Sequence, residues 1–294
     1  MPWFSYHGGH SGEFCAHAKD SLEAVVRAAI DRGFTHYGLS EHSPRYREDE
    51  LYPEEREAGV AQLHTLFEAY AEEARRLQAE YADRIELLVG FETEKLPADH
   101  WATTMLELRE RHAFDYVVGS VHDLGGRWVD YSAETTAALA ADLGGRSEMQ
   151  RRYFDSLAEL VATLRPEIVG HLDLIRKFDG METRIDPGVF VNIERVLEAV
   201  SAAGTRLDIN CGALRRGLSP VYPLPEILSR AREMRIPVTL GDDSHGVESV
   251  GKGLDASLRA ITRAGYREID YLSRRDGETV WVSAPIEEVR PAIS

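Results

Sequence analysis

The sequence predicts an α/β fold in which parallel strands close into a barrel, and three observations carry that reading. Short apolar runs rich in Val, Ile, Leu and Tyr alternate with longer stretches of helical period, the signature of repeated strand–helix units. Seven strand candidates occur, close to the number a closed barrel needs. Most of them end on, or are followed at once by, a histidine, glutamate or aspartate.

The strand candidates are Trp3–His7, Thr35–Ser40, Arg84–Phe91, Phe114–Val121, Glu167–Gly170, Thr205–Asn210 and Ile236–Gly241. After the first strand a helix is expected with Asp20 as N-cap and Glu23 three residues on. Leu22, Val25, Val26 and Ala29 form its apolar stripe, and Gly33 ends it. Further helices are expected near Glu57–Tyr81, Asp99–Arg111, Pro187–Ala203, Pro225–Arg235 and Glu248–Ala264. The longest insertion follows strand four, with helices over Glu134–Asp142 and Ser147–Leu164 separated by Gly144-Gly145. Near the end, Asp276-Gly277 between Ile269–Leu272 and Thr279–Val282 predicts a type I′ hairpin. With no internal repeat, low-complexity run or linker, residues 1–294 are expected to form one barrel domain carrying a C-terminal helix and hairpin extension.

At 294 residues and 43% hydrophobic content the chain can bury a large core. A formal charge of −16 without any basic block argues against a nucleic-acid surface, which needs clustered positive charge. Cys15 and Cys211 lie far apart and outside CxxC spacing, so neither a disulfide nor a thiolate zinc site is expected. Both read as reduced structural cysteines. The first residues lack a basic region followed by an apolar core, and no run of about 18 apolar residues occurs, so no membrane association and a cytoplasmic location are expected.

The chemistry gathers at the strand exits. His7 and His10 follow strand one, with His17 just beyond; His42 follows strand two, Glu92 strand three, His122 strand four, His171 strand five, and Asp243 and His245 strand seven. In a parallel barrel those ends share one rim, so residues far apart in sequence converge on one pocket. Of eleven histidines only His36, His64, His100 and His112 fall elsewhere, and no role is expected for them. A set of imidazoles and carboxylates suits zinc, iron or manganese, and its size implies two or three divalent ions. Such ions lower the pKa of water and neutralise phosphoryl oxygens, which predicts phosphate-ester hydrolysis. Arg176 and Arg215, beside Lys177 and Arg216, are expected to grip the phosphate. The loop Ser43–Arg56 is expected to cover the site, with Glu54 and Glu55 facing a cationic part of the substrate. Asp243 and His245 are also the nearest candidates for proton donor to the leaving group.

These segments resemble the polymerase and histidinol phosphatase (PHP) metal-dependent phosphoesterases. The resemblance is carried by the runs from His7 to His17, Leu39 to Pro44, Val89 to Glu92, Gly119 to His122, Gly170 to Asp173 and Gly241 to Gly246. Leu51 to Glu55, Asp208 to Asn210, Ala213 to Arg215 and Tyr222-Pro223 are similar to its monofunctional histidinol-phosphatase branch. The resemblance implies a distorted seven-stranded barrel and hydrolysis of L-histidinol phosphate, with another small phosphate ester, a nucleotide or sugar phosphate, as the alternative. It also implies one ion on His7, His10, Glu92 and Asp243, a second sharing Glu92 with His122 and His171, and a third on His17, His42 and His245. In one respect the chain departs from the family pattern: His7-Gly8-Gly9-His10 stands where His-x-His is usual, so His7 must reach its metal through a changed backbone path that two glycines leave open. A related barrel class, the amidohydrolases, bridges its metals through a strand-end lysine. None of Lys19, Lys95, Lys177 and Lys252 ends a strand candidate. A metal-binding module of a larger assembly is the non-enzyme alternative. A small phosphorylated substrate is the expected partner, with nucleic acid and membrane not expected.

Overall fold

A computed structural model describes residues 1–179, 185–218 and 220–289. Seven parallel strands form one sheet in sequence order: β1 (Phe4–Ser5), β2 (His36–His42), β3 (Glu86–Thr93), β4 (Tyr116–Gly119), β5 (Ile168–Val169), β6 (Arg206–Asn210) and β7 (Val238–Gly241). All seven expected strands are present, several shorter than predicted. Backbone bonds from Tyr6 N to the Leu240 carbonyl (2.9 Å) and from Asp243 N to the His7 carbonyl (2.6 Å) tie the first strand to the last. The sheet thereby closes into the expected barrel.

Helices α1 (Leu22–Asp31), α2 (Gly59–Glu80), α3 (Trp101–His112), α4 (Ala133–Asp142), α5 (Arg146–Leu164), α6 (Pro187–Ala203), α7 (Gly212–Arg215), α8 (Pro225–Glu233) and α9 (Leu254–Arg263) supply the crossovers. Their apolar stripes are buried against the strands, as Leu22, Val25, Val26 and Ala29 of α1 show. Each such side chain contributes about 1.5–3 kcal/mol when fully buried. The cap of α1 differs from expectation. Ser21, not Asp20, accepts the Ala24 amide, because Asp20 takes a left-handed backbone (φ +66°) and turns its carboxylate to the Val247 amide (2.8 Å). Residues 248–253, expected as the start of the last helix, instead belong to a 3-10 turn at Val247–Ser249 and a loop ahead of α9.

The C-terminal strands β8 (Glu268–Arg275) and β9 (Glu278–Pro285) pair antiparallel around Asp276-Gly277, both with positive φ, as the type I′ reading requires. This hairpin plugs the N-terminal mouth of the barrel. Tyr6 donates its hydroxyl to the Leu272 carbonyl (2.6 Å), Trp281 packs edge-on to Tyr6, and Arg206 lies over the Trp281 ring while pairing with Asp270 (3.0 Å). With the lower mouth filled, the C-terminal rim is the open end of the barrel. Among the described residues no helix is long and apolar enough to cross a membrane.

Inside the barrel Gly38 leaves room for the Tyr116 ring of β4 and the backbone of Tyr6. A Cβ there would lie 2.3 Å from the Tyr116 hydroxyl and 2.8 Å from the Tyr6 Cα. Gly38→Ala is therefore expected to destabilise the fold by about 1–3 kcal/mol through overpacking. Urea unfolding checks this, and an unchanged midpoint would show that the interior has slack.

Candidate metal centre

The C-terminal strand ends deliver their side chains as a ring around Glu92. In the β2–β3 register His42 stands directly beside Glu92, so the two ligand types enter the rim at one level. The Glu92 carboxylate is buried, with the Nε2 atoms of His7, His122 and His171 at 3.2, 3.4 and 3.2 Å from one oxygen. His42 Nδ1 and His10 Nε2 stand 3.0 and 3.9 Å from the other. Among the described residues four clusters of ligand atoms, each spanning no more than 4.8 Å, can be recognised: His7, Glu92 and His171; His7, His10 and Asp243; His10, Glu41 and His42; and Cys15, His17, His42 and His245.

The His7-Gly8-Gly9-His10 departure is accommodated as its glycines allow. Gly8 and Gly9 adopt φ of +144° and +75°, and a Cβ on Gly8 would sit 2.2 Å from Asp242 Oδ1 and 2.7 Å from the Ser244 amide. The turn can pass only without side chains, and it brings both imidazoles into the ring. Asp243 itself holds a left-handed backbone (φ +51°) rare for a non-glycine residue, a strain typical of functional turns.

Behind the ring lies a second layer of acceptors that motif reading did not single out. Asp208 Oδ2 stands 2.7 Å from His7 Nδ1 and also accepts from Asn210, and Glu41 Oε1 stands 3.0 Å from His10 Nδ1. Glu94 lies 3.3 Å from His122 Nδ1 and is itself paired with buried Arg45 at 2.7 Å. The only sequence signal for them was period: Glu41 precedes a ligand, whereas Asp208 and Glu94 lie two residues from Asn210 and Glu92, on the same strand face. Such carboxylates fix which ring nitrogen carries the proton and turn the other toward a metal.

Electrostatics bind the ring together. Burial pushes the Glu92 carboxyl up, but the His7, His122 and His42 imidazoles outweigh it and hold Glu92 well below the usual carboxylate range. Burial pushes His7 down, yet Glu92 and Asp208 hold its imidazole well above its ordinary value. The geometry of these groups also suits a cation. Among the described residues His7 Nε2, His10 Nε2, both nitrogens of His42 and both oxygens of Glu92 are buried and, though crowded to 3.0–3.9 Å, make no hydrogen bond of good geometry. Each such group left unmade costs about 1–3 kcal/mol. Divalent ions fit this donor set and would relieve that cost.

A cavity of about 240 Å³ opens above the ring. His17, His42, Glu92, His122, His171, Asp243 and His245 line its floor, and Arg45, Tyr52, Glu54, Glu94, Asp130, Tyr131, Lys177 and Arg216 are among its walls. The loop after β2 does cover the site, where it meets the β4–α4 insertion: Tyr52 stacks on Trp128 with ring centroids 4.7 Å apart.

Three expected substrate contacts fall elsewhere. Arg176 is buried in the wall, where it donates to Asp173 (2.8 Å) and to the Val221 and Pro220 carbonyls (2.8 and 3.0 Å) and lies over the Tyr222 ring. Arg215 donates to the carbonyls of Asp242 and Asp243 and so braces the turn that carries two ligands. Glu55 accepts from the Tyr52 amide (2.9 Å) and from Arg45 Nε (3.3 Å), facing away from the cavity. In each case the neighbour, Lys177, Arg216 or Glu54, faces the cavity instead. Successive residues of a tight helical turn point in directions about 100–120° apart, so one of each pair must face the wall.

Comparison with known proteins agrees with this geometry. The PHP domain profile matches residues 7–211. A Schizosaccharomyces pombe protein named "Probable histidinol-phosphatase" is 36% identical over 270 residues, covering 90% of this chain and 87% of that one. The hisK structure from Listeria monocytogenes superimposes with a TM-score of 0.76 at 26% identity, covering 86% of this chain and 98% of that one. Histidinol phosphate phosphatase from Lactococcus lactis, solved with zinc, L-histidinol and phosphate, gives 0.68 at 21% identity over 91% of this chain and 95% of that one, a likeness of fold.

Two outcomes follow from the layering. Asp208→Asn should lower metal affinity by roughly 10- to 100-fold by loosening His7, read by chelator competition. An unchanged affinity would make Asp208 a packing residue. Arg176→Met, which leaves the buried Asp173 carboxylate unpaired, should cost about 3–5 kcal/mol in unfolding experiments while leaving the KM of the folded enzyme unchanged. A raised KM at parental stability would return Arg176 to the substrate.

Proposed function

This chain belongs to the PHP-domain family, and from that premise we propose that it is a metal-dependent phosphatase that hydrolyses L-histidinol phosphate to L-histidinol and phosphate, a reaction of histidine biosynthesis. The observation that carries this reading is the bipolar cavity. Its floor is the imidazole and carboxylate ring, and Lys177, Arg216, Glu54 and Asp130 all face the same space, with Lys177 paired to Asp130 at 2.8 Å. L-Histidinol phosphate has a dianionic end, an ammonium group and an imidazole, and this cavity offers a complementary group for each. The 36% identity to the fission yeast relative supports the same substrate.

Two or three divalent ions, zinc, iron or manganese, would be held by His7, His10, His17, His42, Glu92, His122, His171, Asp243 and His245. When bound, they acidify a water molecule and neutralise developing charge on the phosphoryl oxygens. The chain's own groups do the rest. Lys177 and Arg216 take the non-bridging oxygens and hold phosphorus over the ring. Glu54 and Asp130 take the ammonium group, and Tyr52 with Tyr131 offers an aromatic wall to the imidazole. The loop after β2 and the β4–α4 insertion exclude bulk water, which strengthens each of these contacts. Asp208 and Glu41 keep His7 and His10 in the tautomers that present Nε2.

Asp243 and His245 suit ligand roles better than proton donation. Burial pushes the Asp243 carboxyl up, but His245, His7 and Arg215 hold it far below the usual carboxylate range, so it has no proton to give. Burial, reinforced by His10, pushes His245 well below its ordinary value, and its Nδ1 stands 2.9 Å from the Asp243 carbonyl, which leaves Nε2 free as a donor atom to metal.

The test is phosphate release from L-histidinol phosphate before and after chelation, set beside a panel of nucleotide and sugar phosphates. Preference for L-histidinol phosphate that vanishes with the metal is expected, and preference for another ester would overturn the substrate. Lys177→Ala or Arg216→Ala should reduce kcat/KM by roughly 10- to 1,000-fold without loss of metal. Glu54→Gln should impair L-histidinol phosphate much more than a simple aryl phosphate. Equal effects on the two substrates would place recognition of the amine elsewhere.

A further inference from the structure

The two cysteines differ in their surroundings. Cys211 is buried behind the ring, 3.2 Å from the Lys252 carbonyl. Cys15, four residues beyond the Ser11 carbonyl that its amide bonds, is buried beside Glu41 and His42, with its Sγ 3.4 Å from both ring nitrogens of His17. Its sulfur lies within 4.8 Å of a nitrogen from each of His17, His42 and His245, and those nitrogens are as close to one another. Both nitrogens of His42, which faces the same point, are buried, Nδ1 standing 3.0 Å from a Glu92 oxygen.

Donor atoms gathered this closely lie within the span that one tetrahedral ion could draw together. With metal–sulfur and metal–imidazole bonds of ordinary length, a sulfur and a nitrogen on one tetrahedral ion stand about 3.5 Å apart. The observed separation is 3.4 Å. Because the sulfur is equidistant from both His17 nitrogens it lies over the ring, so filling the site requires that ring to turn about χ2. His17 sits on an exposed stretch of loop that leaves it room to do so.

We propose that Cys15 is a fourth, thiolate ligand of the ion held by His17, His42 and His245, giving a Cys-His-His-His site beside two positions made of imidazole and carboxylate alone. This rests on the metal-dependent reading above. It also reverses the expectation that neither cysteine meets a metal. A soft sulfur donor biases this one position toward zinc over manganese, while the oxygen-bearing positions keep a broader choice. The three positions are then chemically unequal, and one enzyme molecule can hold two kinds of metal.

The test uses the full-length protein, stripped with chelator and reloaded with cobalt(II), and reads its absorption spectrum. A sulfur-to-cobalt charge-transfer band in the near ultraviolet is expected in the parent, lost in Cys15→Ser and kept in Cys211→Ser. The visible ligand-field bands from imidazole-bound cobalt should remain in both variants. If the parent shows the visible bands without the sulfur band, Cys15 is no ligand and the metal-dependent reading stands. If cobalt produces neither band and no divalent ion supports phosphate release, that reading falls as well. A sulfur band that survives in Cys15→Ser overturns the assignment. Should Cys15→Ser fail to fold, X-ray absorption of the zinc-loaded parent decides the matter: a sulfur scatterer at about 2.3 Å supports the ligand, and a shell of nitrogen and oxygen alone overturns it.

Discussion

A single buried carboxylate organises this molecule. Glu92 is an ionised group at the centre of a barrel rim, shielded from water, and such a charge is tolerated only where opposite charge or strong donors surround it. Imidazoles from β1, β2, β4 and β5 meet it, so that its two oxygens link positions that are otherwise separate. Strand register makes this possible. A slip of one residue in β3 would turn Glu92 out of the barrel and bring Phe91 or Thr93 in, and the ring would have no centre.

Around that centre the rim is built in layers. Imidazoles form the inner layer, and Asp208, Glu41 and the Glu94–Arg45 pair hold them from behind. A third set of contacts holds the β7 turn: Tyr37 donates to Asp242 (3.0 Å), Gly251 N donates to the same oxygen (2.7 Å), and Arg215 grips the Asp242 and Asp243 carbonyls. Missing side chains make room for the layers. A Cβ on Gly241 would fall 2.1 Å from Asp208, and one on Gly212 would fall 2.3 Å from Asp243. The strained backbone of Asp243 persists because these contacts over-determine it.

The protein carries a formal charge of −16, yet its cavity is arranged for an anion. Local placement resolves this, since Lys177 and Arg216 face the cavity while most of the acidic surplus faces solvent or pairs with arginine. Lys177 is held by Asp130 at 2.8 Å, so the cation and an acidic wall group are positioned together. That pairing puts groups for a phosphate and an ammonium within one small space, which suits a substrate that carries both.

The barrel and its histidine ring were legible from the sequence alone, because parallel strands have one exit side and the chain places seven of its eleven histidines there. Pro187 opening α6, the Asp276-Gly277 turn and the two glycines between His7 and His10 were local signals whose meaning did not depend on distant residues. Choices between neighbours were not legible. Ser21 caps α1 in place of Asp20, Lys177 and Arg216 face the cavity in place of Arg176 and Arg215, and of Glu54 and Glu55, both expected there, Glu54 does so and Glu55 does not. Composition and spacing are nearly the same for either member of each pair, and what separates them is the side-chain direction that a wall or a turn elsewhere imposes. Cys15 is the extreme case, since its three imidazole neighbours come from its own loop and from the exits of β2 and β7. Sequence determined which residue types reach the rim, through the period of the strands. Tertiary structure decided which individual atoms meet there, because a contact between side chains distant in sequence exists only once the barrel has closed.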